Sequence, residues 1–205
     1  MTELEKMLRG ELYDPSDREL SQMRVFARKS EYLFNRTEIE EYDSREAILK
    51  AAVGFFGEDS YIEPPLRFDY ASNTYIGSDC YINSGCTFLD CAKIEIGDNA
   101  MLGPNVSLFT PLHPLVASER AVHVRANGEK YQLEYALPIK IGSGCWLGGN
   151  TVVNAGVTIG DNSVIGSGSV VTRDIPPNVI AAGVPCRVLR EIGDDDRMLG
   201  RDAFL

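Results

Sequence analysis

The stretch that decides the fold is IGSGCWLGGNTVVNAGVTIGDNSVIGSGSVV, residues 141–171, in which an aliphatic residue returns at every sixth position. The positions are Ile141, Leu147, Val153, Ile159, Ile165 and Val171. An earlier run with the same step comprises Ile76, Ile82, Phe88 and Ile94, and after a slip of two residues Ile96, Leu102 and Leu108. Repetition at this regularity is typical of a solenoid, in which each aliphatic side chain points inward from a short strand. Three hexads close one triangular coil, so the sequence predicts a parallel β-helix with coils about 4.8 Å apart.

A second position of each hexad, four residues after the aliphatic one, is small. Its occupants are Cys80, Cys86, Ala100, Val106, Cys145, Thr151, Val157, Ser163 and Ser169. Cysteine at such a position behaves as a small buried residue. The pattern therefore predicts that three of the five cysteines fill the core.

The hexads stop for thirty residues, 109–138, and this interruption contains His113, one of only two histidines, in the sequence PLHPL. The segment also holds Tyr131, Leu133 and Tyr135, which makes it too apolar for a disordered tail. A long excursion from a compact solenoid is usually functional. We therefore expect an inserted loop with His113 at its root.

Composition and charge exclude several classes of protein. The net charge of −10 is unfavourable for binding nucleic acid or an anionic membrane, since both require a basic surface. Residues 1–205 contain no apolar run long enough to span a bilayer, and the amino terminus does not read as a signal peptide. The odd number of cysteines and the absence of a C-x-x-C spacing predict reduced thiols, no metal site and a cytoplasmic location.

Residues 1–57 are predicted to be helical. Thr2 with Glu5, and Ser16 with Glu19, have the spacing of a capping box. One apolar helical face is predicted from Leu20, Met23, Phe26, Leu33 and Phe34.

The hexads, the His-Pro pair and the segments RGELYDPSDREL, YIEPPLRFDYASN and AGVPCRVLR together resemble the maltose and galactoside O-acetyltransferases. The resemblance runs from about residue 5 to 193 and implies a mainly β, left-handed parallel β-helix of hexapeptide repeats. It further implies a homotrimer that binds acetyl-CoA between the β-helices of two subunits. The expected organisation is a helical segment at 1–57, a β-helix at 58–190 with an inserted loop at 109–138, and a carboxy-terminal tail at 191–205.

The resemblance assigns the acceptor side of the site. His113 corresponds to the catalytic histidine, and an imidazole suits the removal of a proton from a sugar hydroxyl. Asn83, Asp69 and Asp17 correspond to residues that contact the sugar, although Asp14 is an alternative to Asp17. Asparagine is also a natural corner residue in a solenoid, and both amino-terminal aspartates can cap a helix. The insertion departs from the family, because Lys130 stands where a methionine is expected, and His123 has no support as a functional residue.

The resemblance also assigns the donor side. Gly149 and Ser167 correspond to corners that contact the pantetheine arm, followed by Thr172 and Arg173. Arg187 and Arg190 correspond to cations that meet the adenosine phosphates, a contact for which the guanidinium fork is well suited. Trp146 should point outward, either lining the groove near His113 or packing against another subunit.

The alternatives differ in class. A γ-type carbonic anhydrase holds zinc with three histidines, and this chain has only two. A catalytically silent assembly subunit and an acetyltransferase for serine or an antibiotic remain open. We expect direct acetyl transfer from acetyl-CoA to a sugar, since no cysteine has a visible activating partner and the chemistry requires no metal.

Overall fold

The computed structural model describes residues 1–199 and begins with three helices: α1 Glu3–Leu8, α2 Arg18–Phe34 and α3 Tyr42–Ala52. The capping box of Thr2 and Glu5 is confirmed at the start of α1. The prediction of Ser16 as a cap is wrong, because the side chain of Asp17 accepts the backbone N–H groups of Glu19 and Leu20 at the start of α2. An aspartate that directly precedes the first helical residue is the better-placed acceptor for these donors.

Helices α2 and α3 close one end of the β-helix. Phe34 and Leu49 are buried in the same core cluster as the inward residues of the coils. The amide of Asn35 binds both the N–H and the carbonyl of Leu66, each at 2.8 Å, and so fixes α2 to the first coil. The prediction that Phe26 and Leu33 belong to the buried face is wrong, since both are more than half exposed.

The coils are built from three sheets whose strands run parallel through the solenoid. The first sheet comprises β1 Phe55–Phe56, β4 Thr74–Ile76, β7 Ile94–Ile96, β14 Ile139–Ile141 and β17 Thr158–Ile159. The second comprises β2 Tyr61–Ile62, β5 Tyr81–Ile82, β8 Met101–Leu102, β15 Trp146–Leu147, β18 Val164–Ile165, β20 Val179–Gly183 and the antiparallel β21 Cys186–Glu191. The third comprises β3 Leu66–Phe68, β6 Cys86–Leu89, β9 Ser107–Phe109, β16 Val152–Asn154 and β19 Val170–Val171. One strand from each sheet makes a coil, and the predicted parallel β-helix is confirmed.

The slip of two residues in the hexads has a structural cause. Ile94 and Ile96 both point inward, from the two ends of β7. Ile76 pairs with Ile96, a step of twenty residues, whereas Ile141 pairs with Ile159, a step of eighteen. The first two coils therefore carry two extra residues each, at the corner where the third sheet is followed by the first.

The core is filled as the hexads predict. All thirteen inward aliphatic or aromatic positions are buried, and so are the nine small ones. The thiols of Cys80 and Cys145 contact backbone carbonyls of a neighbouring coil at 3.1 Å. All five cysteines are free and buried.

The insertion at 109–138 is more ordered than a loop. It contains β10 Pro111–Leu112, α4 Ala117–Arg120, β11 His123–Val124, β12 Lys130–Tyr131 and β13 Tyr135–Ala136. Strands β10 and β13 pair with each other, as do β11 and β12, in both cases antiparallel. The insertion leaves the solenoid after the third coil and returns at the fourth.

The carboxy-terminal part begins with the hairpin of β20 and β21 and continues through a short 3₁₀ helix, Asp194–Asp196. The last six residues of the predicted tail, 200–205, lie outside the described residues. Within residues 1–199, no helix combines the length and the apolar character that crossing a membrane requires.

Candidate active site

The predicted site residues lie mainly at two corners of the triangular coil. Corner I joins the second sheet to the third and comprises residues 83–85, 103–106, 148–151 and 166–169. Corner II joins the third sheet to the first and comprises residues 69–73, 90–93, 110–138, 155–157 and 172–174. The strands of the third sheet separate the two corners; the four residues of β6, for example, span about 13 Å.

His113 lies at corner II, directly after β10, and its side chain is exposed. Its Nδ1 atom is 3.4 Å from the carbonyl oxygen of Leu133. Because a carbonyl oxygen can only accept, this hydrogen bond selects the tautomer in which Nδ1 carries the proton. The lone pair of Nε2 is then available to take a proton from a ligand.

Asp69 lies two coils below His113 at the same corner and is half-buried. Its carboxylate accepts the thiol of Cys91 at 3.6 Å. Asp90, at the same corner of the second coil, is fully buried and accepts the N–H of Tyr70 at 2.8 Å and the hydroxyl of Thr74 at 3.0 Å. Burial raises the pKa of Asp90 to about 6, although hydrogen bonds from Tyr70 and Thr74 oppose the rise. Asp90 therefore organises the turn from which Asp69 projects.

Asp14 and Asp17 line one polar cavity of about 600 Å³ between the amino-terminal segment and the insertion. Lys130 and Arg125 form part of the opposite wall. Burial alone would raise the pKa of Asp14, but hydrogen bonds from Ser16 and from Arg125 hold it below its ordinary value. Both oxygens of Asp14 are thereby occupied. Asp17 uses Oδ1 to cap α2, and its Oδ2 has no hydrogen bond within residues 1–199.

Corner I is a column of close backbone contacts that contains Asn83, Gly149 and Ser167. A Cβ atom on Gly103 would lie only 2.6 Å from the backbone nitrogen of Gly149, so the corner admits no side chain there. Asn83 accepts the N–H of Ser84 at 2.8 Å through Oδ1. Its Nδ2 group has no partner in the described part of the chain and can donate to a ligand.

Trp146 lies on the second sheet beside corner I and is half exposed, as predicted. It is flanked in the ladder by Met101 below and Val164 above, and Tyr81 lies below Met101. Tyr81 and Met101 are also exposed, so the outer face of this sheet carries an apolar strip.

The predicted cations lie near the upper end of the solenoid. Arg187 and Arg190 are exposed on β21, and Arg190 forms a two-pronged ion pair with Asp196, both contacts at 2.7 Å. Arg187 donates to the carbonyl of Cys186 at 2.7 Å. Thr172 and Arg173 are exposed at corner II, not at corner I.

A single chain therefore does not bring all the predicted residues together. His113, Asp69, Thr172 and Arg173 are at corner II, with Asp14 and Asp17 across the cavity from the insertion. Asn83, Gly149 and Ser167 are at corner I, with Trp146 beside them and the two arginines above. The order along the axis is regular: Asp69 and Asn83 lie at the first and second coils, His113 at the third, and Gly149 and Ser167 at the fourth and fifth.

Two features of the insertion were missed in the sequence. Arg125 pairs with Asp14 and lies over the ring of Tyr131 at 4.5 Å. Glu134 pairs with Tyr13. The alternation in YQLEYALP is a signal for the strands, but nothing in the sequence indicates partners more than a hundred positions away. His123 packs on Tyr131, with ring centres 5.2 Å apart.

The thiols are not arranged for nucleophilic catalysis. Burial raises the pKa of all five cysteines, which keeps them protonated. Residues 1–199 also contain no group of three or more His, Cys, Asp or Glu side chains that could hold a metal ion.

Comparisons with known proteins define the class and then the family. The model of the bacterial transferase hexapeptide, described as six repeats, matches residues 138–173, and the model of the maltose acetyltransferase hexapeptide capping motif matches residues 6–57. Galactoside O-acetyltransferase of Escherichia coli is 44% identical, and the alignment covers 94% of this chain and 91% of that protein. The chain therefore belongs to the maltose and galactoside O-acetyltransferase family of hexapeptide-repeat proteins, and the predicted resemblance is confirmed.

Two solved structures agree over almost the full length. A maltose O-acetyltransferase from Clostridium difficile is 46% identical, with a TM-score of 0.87 over 95% of this chain and 99% of its own. A galactoside acetyltransferase in complex with coenzyme A is 42% identical, with a TM-score of 0.87 over 98% of this chain and 97% of its own. The predicted hexapeptide β-helix with helices before it is thus the fold of the family.

Proposed function

We propose that this chain transfers the acetyl group of acetyl-CoA to a hydroxyl of a sugar, with His113 as the general base. The observation that carries the proposal is the contact between His113 Nδ1 and the Leu133 carbonyl, which leaves Nε2 free on an exposed ring. A base in this form accepts the proton of an alcohol near neutral pH and accelerates such reactions by roughly 10² to 10⁴-fold. The relatives named for maltose and galactoside support a sugar as the acceptor.

The proposed reaction proceeds in two steps. Nε2 of His113 takes the proton of the acceptor hydroxyl as the oxygen attacks the carbonyl carbon of the thioester. The tetrahedral intermediate then collapses, the carbon–sulfur bond breaks, and the protonated ring returns the proton to the thiolate of CoA. Donors directed at the oxyanion stabilise the intermediate.

On the acceptor side, polar groups that lack internal hydrogen-bond partners are the strongest candidates for contacts with the sugar. Nδ2 of Asn83 can donate to the acceptor, and Oδ2 of Asp17 can accept from it. Asp69 adds a third polar group at the level of the first coil. Since both oxygens of Asp14 are already occupied, we assign the amino-terminal contact to Asp17. Such contacts hold the hydroxyl in line with the base.

On the donor side, the relative solved with coenzyme A supports a CoA thioester. The pantetheine arm would run along corner I past the half-buried Gly149 and the exposed Ser167, with Trp146 beside it. Arg187 and Arg190 would meet the phosphates at the upper end, and Thr172 and Arg173 would approach from corner II. Corner I from Asn83 to Ser167 extends over three coil spacings, roughly 14 Å, which provides an extended path for the arm.

Because corner I and corner II are on opposite edges of the third sheet, we propose that the site forms between two copies of the chain. Corner II of one copy would face corner I of the next, and a closed ring of three copies repeats this pairing at each interface. The apolar strip around Trp146 supports a partner here, because an exposed strip of this kind is typical of a contact surface.

Direct transfer is favoured over an acyl-enzyme, since every thiol is buried with a raised pKa. Five unpaired thiols are also what a reducing compartment maintains, which supports a cytoplasmic location.

The test of the acceptor is the release of CoA thiol from acetyl-CoA with maltose, glucose, a galactoside, serine and chloramphenicol compared in parallel. Release that depends on a sugar supports the proposal. Release with serine or chloramphenicol alone would move the enzyme to another acceptor class. No release with any acceptor, despite measured binding of acetyl-CoA, would favour a silent assembly subunit.

A further inference from the structure

Tyr13 and Glu134 join the amino-terminal segment to the insertion through three hydrogen bonds. The backbone N–H of Tyr13 donates to the Glu134 carbonyl at 2.9 Å, and the N–H of Glu134 donates to the Tyr13 carbonyl at 3.2 Å. The hydroxyl of Tyr13 also donates to the carboxylate of Glu134. Tyr13 is fully buried, and its ring packs in the core cluster that contains Tyr70 and Cys91.

The contact between Tyr13 and Glu134 adjoins the residues that hold His113. Leu133, the neighbour of Glu134, supplies the carbonyl that accepts from His113 Nδ1. Tyr135, the neighbour on the other side, pairs with Leu112, the residue before His113. The three residues 133–135 therefore contact His113 or its strand on one side and Tyr13 on the other.

We propose that Tyr13 and Glu134 are positioning residues for His113. By fixing the Leu133 carbonyl, they hold the imidazole in the tautomer whose Nε2 is unprotonated and keep that atom aligned with the acceptor. The inference rests on the proposed role of His113 as the base.

The exposure of the insertion explains why the contact between Tyr13 and Glu134 matters for the position of His113. Most of the residues of 113–134 are exposed, and the hairpin of β11 and β12 makes no pairing with the solenoid sheets. The insertion also contacts the amino-terminal segment through the ion pair of Arg125 with Asp14 and, at its base, through the buried Ala136, which packs in the cluster that contains Met7 and Tyr13. A largely exposed segment is displaced more easily than the packed coils, and a shift of about 1 Å at a catalytic group can cost about a hundredfold in rate.

The test is Tyr13→Phe, which removes one hydroxyl and keeps the buried ring. We expect kcat to fall about ten- to a hundredfold with the KM for acetyl-CoA unchanged, because the donor contacts are elsewhere. Nitrogen NMR of the imidazoles should show His113 mainly as the Nδ1–H tautomer in the wild type and a larger share of the Nε2–H tautomer in the variant. The two histidines make the spectrum simple to assign, with His113→Ala identifying the resonances.

Two variants of Glu134 and a control substitution at another tyrosine complete the design. Glu134→Gln keeps an acceptor oxygen for the Tyr13 hydroxyl and should retain most of the activity, whereas Glu134→Ala should behave as Tyr13→Phe does. Tyr61→Phe is the control: its hydroxyl accepts from Arg45 at 2.9 Å at the lower end of the solenoid, and neither kcat nor the tautomer should change. If Tyr13→Phe does not fold, as judged by thermal unfolding, Glu134→Ala carries the same test.

The outcomes separate the two proposals. If His113→Ala keeps the wild-type rate, the assignment of the base is wrong. If His113→Ala loses the activity while folded Tyr13→Phe and Glu134→Ala match the wild type in kcat and in the tautomer of His113, only the positioning role is overturned.

Discussion

A site shared between two copies of the chain can be rebuilt from two inactive variants. The first variant, His113→Ala, is damaged at corner II. The second, Asn83→Ala combined with Arg187→Ala, is damaged at corner I and at the upper end of the second sheet. Each variant alone should have little activity. Co-expressed, they should recover activity, because some interfaces combine the intact corner of one chain with the intact corner of the other.

The recovery can be estimated from the geometry. In trimers assembled at random from equal amounts of the two chains, a site is intact only if the copy that supplies corner II has His113 and the copy that supplies corner I has Asn83 and Arg187. Each condition holds for half of the copies, so about one quarter of the sites should be intact. A site contained within one copy would never be intact in these mixtures.

The assay is sugar-dependent release of CoA thiol, measured on the whole population of oligomers from each co-expression, without enrichment of the mixed ones. A second mixture, wild type with a chain that carries all three substitutions, should retain about one quarter of the wild-type rate if the site is shared and about one half if it is not. Activity at the level of the separate variants in the first mixture, together with one half in the second, would refute the shared site.

Three further predictions concern stability and affinity. Burial raises the pKa of Asp90 to about 6, above its ordinary value of 3.8, so ionisation disfavours the folded state; relative to Asp90→Asn, the wild-type free energy of unfolding should be highest below about pH 4 and fall by about 3 kcal/mol as the pH rises through 6. Urea unfolding of both proteins across this range checks the sign, and a difference that grows with pH would contradict it. Leu147→Ala should lower the free energy of unfolding by about 2–5 kcal/mol, because the side chain is fully buried between coils, and a loss below about 1 kcal/mol would be inconsistent with that packing. Arg187→Ala should raise the KM for acetyl-CoA about tenfold or more with little change in kcat; an unchanged KM would remove this arginine from the phosphate contacts.

The core of the β-helix could be predicted from the sequence because each hexad is a local signal. An inward residue such as Leu147 is read from its own position in the repeat, and its neighbours in space are one coil away in the sequence. The two-residue slip near Ile94 was visible too, although only the pairing of Ile76 with Ile96 shows that it widens one corner.

The amino-terminal helices were predicted less accurately. The pattern of α2 gives the period of the helix but not which of its apolar residues meets the solenoid, so Phe26 and Leu33 were placed inside when they are exposed. Ser16 and Asp17 are both good caps, and the first helical residue decides between them.

The candidate site could be named residue by residue through the family resemblance, but its spatial arrangement could not. The contact of Tyr13 with Glu134 joins residues 121 positions apart, and no local pattern reports it. The division between corner I and corner II depends on how many residues each coil contains, which is fixed only when the strands are paired.

The measurement that tests the central claim most directly is the steady-state rate of His113→Ala beside the wild type, with the sugar that supports the fastest release of CoA. The account predicts that kcat falls roughly 10² to 10⁴-fold while the KM for acetyl-CoA and the thermal unfolding midpoint stay close to the wild-type values. A folded variant that releases CoA as fast as the wild type would show that His113 is not the base.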